Sequence, residues 1–225
     1  MKALEQFRED IVFDAVLRGH RLVFHSTWGL FSPRTIDDGS RLLIEHIDLQ
    51  DGQDTFDLGC GYGAIGVSIA KACPGGQVHM VDTNFVAVDF ARKNAELNGL
   101  ANCNAYLSNA FSAAGNGKYD NIVSNLPAKV GKELLCIILS DAKARLRPGG
   151  QLVVVTISGL KEFIKWNFKD TFGNYEKIKQ GKDYTVARAV KEGRKRDELP
   201  NQRLQDTRNQ PEEANTPNDS GLEMI

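Results

Sequence analysis

The chain has 225 residues, 41% of them hydrophobic, and a formal net charge of −1, enough for one domain with a sizeable core. So balanced a charge excludes a global field that would draw the protein to nucleic acid, and leaves any polyanion-binding surface to be local. Four cysteines without a C-x-x-C pair and four histidines without ligand spacing argue against a disulfide framework or a zinc site; together with a start lacking a signal-peptide core and no membrane-length apolar run, they predict a cytoplasmic protein with reduced thiols, no metal and no membrane contact.

Residues 1–9 read as a short helix or an arm. Ile11–Leu17 and Arg21–Ser26 are β-rich and flank Arg18-Gly19-His20, which predicts a hairpin with a glycine turn. An aromatic loop, Trp28 to Arg34, leads to helical spacing over Thr35–Ile47 through Ile36, Leu42, Leu43 and Ile47. Thr55–Leu58 is a strand. Gly59, Gly61 and Gly63 alternate after it, and a helix follows through Ile65, Val67, Ile69 and Ala70. Gln77–Asp82 is a second strand ending in an acid, and Asn84 is placed to cap the next helix, which ends at Asn98-Gly99. Asn104–Leu107 and Tyr119–Ser124 are strands separated by a polar turn. A helix over Lys132–Leu146 is expected to stop at Arg147-Pro148-Gly149-Gly150, before a β-branched strand from Gln151 to Ile157. A helix through Leu160, Phe163, Ile164 and Phe168 and a hairpin of Tyr175–Lys179 with Tyr184–Val190 complete the pattern. Strands alternating with helices predict a doubly wound, mostly parallel α/β sheet. From Glu192 onward polar and charged residues and proline dominate and aromatic residues vanish, which predicts a disordered tail over 193–225. The expected organisation is an N-terminal arm and β-hairpin extension (1–34), a core domain (35–192) and the tail.

The stretch Asp57-Leu58-Gly59-Cys60-Gly61-Tyr62-Gly63 carries the functional signal. Glycines at a strand–helix junction let backbone approach a ligand, and the helix start aims free N–H groups and a positive dipole end into the same space. The spacing Gly61-x-Gly63-x-x-Gly66, with Asp82 beyond it, also fits a dinucleotide fingerprint, so a nicotinamide-dependent oxidoreductase is one rival reading. Asp57 favours another cofactor, because a carboxylate suits an ammonium and would repel a pyrophosphate.

The stretch resembles motif I of the class I S-adenosylmethionine (SAM) methyltransferases. Together with Leu17-Arg18-Gly19-His20, Leu30-Phe31-Ser32, Asp38-Gly39-Ser40-Arg41-Leu42-Leu43 and an Asn-x-Pro loop, it is similar to the small-domain group, which includes ribosomal RNA guanine-N2 methyltransferases. The resemblance covers roughly residues 10–190 and implies a Rossmann-like fold with seven strands. It implies a SAM site at Asp57, Gly59, Cys60, Gly61, Gly63, Asp82, Thr83, Asn109, Ala110 and Asn125. In it Asp57 and the glycine backbone meet the methionine end, Asp82 meets the ribose hydroxyls, and Asn109 with Ala110 lies beside the adenine. The catalytic loop would be Asn125-Leu126-Pro127, whose amide oxygen and backbone carbonyl accept the hydrogens of an exocyclic amine and align it. Phe31 and Ser32 either cover the cofactor or, for Phe31, belong to the core. The loop departs from the family's Asn-Pro-Pro-aromatic pattern twice. Leu126 replaces the first proline, which predicts a less constrained loop. Ala128 offers no ring for a flipped base, a role Trp28 or Phe31 could take. Late lysines, Lys161, Lys165, Lys169, Lys177, Lys179 and Lys182, and Arg194-Lys195-Arg196 either contact phosphates or form a solvated face. The reading favoured is a SAM-dependent methyltransferase of ribosomal RNA, acting on guanine N2 as a monomer or weak dimer. Its rivals are a small-molecule or protein methyltransferase and a non-catalytic SAM- or RNA-binding subunit.

Overall fold

A computed structural model describes residues 9–127 and 131–193. The predicted arm (1–9, except its last residue), Ala128 and the predicted tail beyond Gly193 lie outside the described residues. The centre is a seven-stranded sheet in the order β5-β4-β3-β6-β7-β9-β8. Its parallel strands are β3 (Thr55–Leu58), β4 (Val78–Asp82), β5 (Cys103–Leu107), β6 (Tyr119–Asn125) and β7 (Leu146–Ile157). The last two, β8 (Glu176–Gln180) and β9 (Tyr184–Val190), form an antiparallel pair, and β9 inserts between β7 and β8. This is the doubly wound, mostly parallel sheet expected from the alternation of elements.

Each strand sorts its side chains by parity. On one face Met80, Val123, Val155 and Val186 pack beneath α1 (Asp38–His46), α2 (Ala64–Ala72) and α3 (Phe85–Leu97). On the other, Phe56, Ile122, Leu152 and Val154 pack beneath α4 (Lys132–Arg145) and α5 (Lys161–Phe172). Burying each large apolar side chain contributes about 1.5–3 kcal/mol, so a one-residue slip of a central strand would exchange the two faces and is strongly disfavoured.

The N-terminal hairpin, β1 (Ile11–Leu17) with β2 (His20–Ser26), forms its own two-stranded sheet yet shares the first core through Leu17, Leu22 and Phe24. Two asparagines one turn apart on α3 fasten it. The outward N–H of His25 donates to Asn94 Oδ1 at 2.7 Å and that of Val23 to Asn98 Oδ1 at 3.0 Å. The amide nitrogens of Asn94 and Asn98 return bonds to the carbonyls of His25 and Val23 at 2.9 and 2.8 Å. Side chains thus complete the outer edge of β2 as a neighbouring strand would. In the hairpin turn Arg18 donates to the carbonyls of Ile44 and Ile47 at 2.8 and 3.0 Å, placing a cation on the C-terminal end of α1.

One boundary differs from the sequence pattern. The segment expected to stop α4 and precede a strand at Gln151 lies within β7, which begins at Leu146. The pairing with β6 is irregular there, between Tyr119 and Asn121. Arg147 is held by the carboxylates of Asp54, at 2.8 Å, and Asp120. Gly149 N–H donates to Lys191 O at 2.7 Å, and Lys191 N–H returns a bond to Gly150 O at 2.8 Å. A side chain at Gly150 would come within 2.9 Å of the Asp120 carbonyl, so the glycine lets two strands meet across the irregularity.

Candidate active site

Between β3 and β6 the strand order reverses, since β4 and β5 lie to one side of β3 and the later strands to the other. Such a switch point opens a crevice at the carboxyl ends of the strands. A cavity of about 750 Å³ occupies it here, walled by the turn after β3, the ends of β4 and β6, the loop before α1, and Tyr184 of β9.

The turn is built from below. Asp57 is completely buried and its Oδ2 accepts the N–H of Gly66 at 2.8 Å, which ties the strand to the first turn of α2. Its second oxygen has no partner among the described residues. Burial drives its carboxyl upward, the Gly66 N–H opposes this and the nearby charge of Asp82 adds to it, leaving a pKa of about 7. Gly66 permits the approach, because a Cβ there would sit 2.4 Å from Met80 Cγ and 3.1 Å from Asp57 Oδ2. Gly61 has φ +55°, and a Cβ built on it would meet nothing within 4 Å, so its backbone lies bare toward the cavity. Asp82 holds the turn from the next strand: Oδ2 accepts from Gly61 N–H at 3.0 Å and Oδ1 from Asn84 N–H at 2.9 Å. Asn84 in turn caps α3 through Val86 N–H at 3.0 Å, as its sequence position predicts. Gly63 starts α2 without a side-chain cap of its own; Asp57 takes the Gly66 N–H, which leaves the amides of Ala64 and Ile65, both in the cavity wall, to whatever enters the cavity.

Of the residues expected at the site, Gly59, Cys60, Gly61, Asp82, Thr83, Asn125, Leu126 and Pro127 line the cavity. Asp57, Gly63, Asn109 and Ala110 are not part of its wall. Asp57 and Gly63 act from beneath, the former through Gly66 and the latter as the N-cap of α2. Asn109 is exposed, and its loop closes on itself: Ser108 Oγ donates to Ala110 O at 2.7 Å, and Phe111 anchors the loop against Phe56 with ring centroids 5.0 Å apart.

The Asn125 loop is better fixed than the loss of a proline predicts. Leu126 is only 4% exposed, and its N–H donates to Val155 O at 3.0 Å, a bond that proline could not make. The leucine therefore extends the β6–β7 ladder by one residue. Phe31 is not in the core: it is 67% exposed at the cavity wall, while Leu30 beside it is buried. Tyr62 holds this loop, its hydroxyl donating to Ser32 O and Thr35 O at 3.3 and 3.2 Å. The guanidinium of Arg34 stacks over Trp28, 4.6 Å from the ring centroid.

Three residues not assigned to the site from the sequence also line the wall: Asp37, Ser40 and Tyr184. Asp37 caps α1, its Oδ2 accepting from Ser40 N–H at 3.0 Å. The same oxygen accepts from Asn125 Nδ2 at 2.9 Å, and Ser40 Oγ accepts from that nitrogen at 3.0 Å. Tyr184 OH donates to Asp37 Oδ1 at 2.9 Å. Burial and then this bond push the Tyr184 hydroxyl up to about 12, so it stays a donor throughout the neutral range. A helix-capping acid followed three residues later by serine is a legible signal for Asp37, but its partners 88 and 147 residues away are not.

A Rossmann-like sheet with two antiparallel final strands, a glycine turn after its first parallel strand and a cavity at the switch point define the class I methyltransferase fold. The family model for the methyltransferase small domain matches residues 21–188. The chain belongs to that family. It is 32% identical over 179 residues to the uncharacterized protein YbxB of Bacillus subtilis, across 78% of this chain and 89% of that one. It is 36% identical over 155 residues to ribosomal RNA small subunit methyltransferase C of Haemophilus influenzae, across 66% of this chain and 46% of the relative. Among solved structures, the T. thermophilus 16S rRNA N2 G1207 methyltransferase RsmC, in complex with AdoMet and guanosine, superimposes with a TM-score of 0.73 at 30% identity, covering 80% of this chain and 50% of that one. The chain thus spans about half the length of these ribosomal RNA methyltransferases.

Proposed function

We propose that the chain is a SAM-dependent methyltransferase acting on the exocyclic N2 of guanine in ribosomal RNA. The observation that carries the reading is the Asn125 amide at the cavity wall: its nitrogen is committed to Asp37 and Ser40, which leaves its oxygen as the atom offered to a substrate. The donor set also fits the cofactor. The amides of Ala64 and Ile65 at the start of α2 suit a carboxylate, Gly61 lets a ligand approach the turn closely, and Asp82 suits ribose hydroxyls. The cavity volume lies in the range of small-molecule sites.

When bound, the cofactor supplies a sulfonium-activated methyl group. The chain's task is to present a weak nucleophile to it. An exocyclic amine has its lone pair delocalised into the ring. Asn125 Oδ1 and a backbone carbonyl of the following loop accept its two hydrogens and turn the lone pair toward the methyl group, so catalysis is mainly positioning. Asn125 has no basic site, and the proton shed on methylation leaves to solvent. With alanine at 128, Phe31 supplies an exposed ring on which a planar base stacks, worth about 1–3 kcal/mol.

The test incubates the full chain with methyl-labelled SAM and small ribosomal subunits or total RNA, then digests to nucleosides. Label in N2-methylguanosine, lost at least about 100-fold in Asn125→Ala while SAM binding persists, is the expected result. Label in protein or metabolites instead, or SAM binding without transfer to any fraction, would transfer the assignment to one of the rival readings.

A further inference from the structure

Asn125 is one member of a network that draws on three distant stretches of chain. The N-cap of α1 gives Asp37 and, within its first turn, Ser40. The end of β6 gives Asn125, and the start of β9 gives Tyr184. We propose that Asp37, steadied by Tyr184, is a positioning residue that fixes which end of the Asn125 amide faces the cavity. This deepens the proposed function and rests on it for its catalytic consequence.

An unheld amide presents oxygen or nitrogen with little preference, and only oxygen accepts hydrogens from an amine. A carboxylate has only lone pairs to offer, so the end of Asn125 that meets Asp37 is its nitrogen, and the oxygen points elsewhere. Ser40 Oγ takes the second proton of the same nitrogen. Rotation of the amide would set its oxygen against the Asp37 carboxylate and lose that bond, and the Ser40 hydroxyl, which can donate as well as accept, would not restore it. Asp37 itself is fixed from two sides, by Ser40 N–H on one oxygen and Tyr184 OH on the other. The fold makes room for this: a Cβ at Gly39 would lie 2.7 and 2.9 Å from the Tyr184 ring, so a glycine in the first turn of α1 lets the tyrosine reach the carboxylate.

Capping α1 and orienting Asn125 are separable tasks. Asp37→Ser keeps an N-cap, since serine caps as well as aspartate, but its side chain is too short to reach Asn125 as well. Asp37→Asn places an acceptor where Oδ2 was and lets its own NH₂ donate to Tyr184 oxygen, so it preserves the hold without the charge. Two readouts apply. Nuclear magnetic resonance follows the Asn125 side-chain NH₂ pair, assigned by its loss in Asn125→Ala. Single-turnover methyl transfer with saturating SAM follows the chemistry. We expect Asp37→Ser to speed exchange of that NH₂ with water at least about tenfold and to slow transfer roughly 10- to 100-fold, with SAM affinity within about threefold. Asp37→Asn should recover both to within about threefold. Tyr184→Phe should slow transfer roughly 2- to 10-fold, less than the loss of Asp37 itself, because Tyr184 reaches Asn125 only through Asp37. Wild-type exchange and rate in both Asp37→Ser and Tyr184→Phe would overturn the proposal. So would an Asp37→Asn that falls as far as Asp37→Ser, because charge would then be the active property. If the wild type transfers nothing to RNA, the functional reading fails, while the amide signal still reports on whether the nitrogen is held.

Discussion

At Asp57 a carboxyl group with no exposure accepts one backbone N–H and carries a pKa of about 7. An unfolded aspartate titrates near 3.9. Between about pH 4 and 7 the folded chain therefore keeps a proton that the unfolded chain has shed, and this group's contribution to stability falls as pH rises through that window. Asp57→Asn keeps an acceptor for Gly66 and removes the titration. The difference in melting temperature between variant and wild type should move in the variant's favour from pH 4.5 to pH 8; a difference that stays constant would show that Asp57 is ionised throughout. Leu126 gives the complementary lesson. A motif written as side chains hides what the backbone does, and here the residue that breaks the motif adds a ladder bond to Val155 that the motif's proline would forgo. Gly61 and Asp82 stand out in the sequence because an alternating glycine run and an acid at a strand end are each short-range patterns. The sequence was silent on Tyr184, whose role depends on where β9 lands.

Elements show the same division. The strands were legible from their β-branched alternation, and α3 from its Asn84 cap, because both signals lie within a few residues. The start of β7 was not, since a Pro-Gly-Gly run reads as a break unless the Asp54 and Asp120 carboxylates that hold Arg147 are known. Attachment of the hairpin was equally hidden. Asn94 looks like a polar position on an amphipathic helix and Asn98 like that helix's end, yet both complete the edge of β2. Asn94 is wholly buried and also donates to Tyr62 O at 2.8 Å, so Asn94→Ala strands several polar groups, each costing about 1–3 kcal/mol. Asn98 is only half buried, and water replaces much of what its removal takes away. Thermal melts should show Asn94→Ala lower than wild type by roughly 6–12 °C and Asn98→Ala by roughly a third of that. Equal losses would mean that burial does not set the strength of this attachment.

On the scale of the whole molecule, the strand order decides what the glycine turn can serve. The spacing Gly61-x-Gly63-x-x-Gly66 admits a dinucleotide, but the cavity is closed on its far side by Asn125, Asp37 and Tyr184 from strands and loops beyond the switch point. A ligand at about 100 times its dissociation constant stabilises by about 2.7 kcal/mol, which for a chain of this size raises the melting temperature by about 5–11 °C. SAM and its demethylated product should each give such a shift, and NAD none; the opposite pattern would restore the oxidoreductase reading. The order also has a consequence in time. As the ribosome releases the chain, the glycine turn, Asp82 and Asn125 all emerge before Tyr184, and β9 must slot between β7 and β8 before its hydroxyl meets Asp37. A nascent chain folded only through β7 would own a cofactor cradle and an amide held by an Asp37 that Tyr184 has yet to steady, so the full rate of chemistry would arrive late in synthesis, after competence to bind.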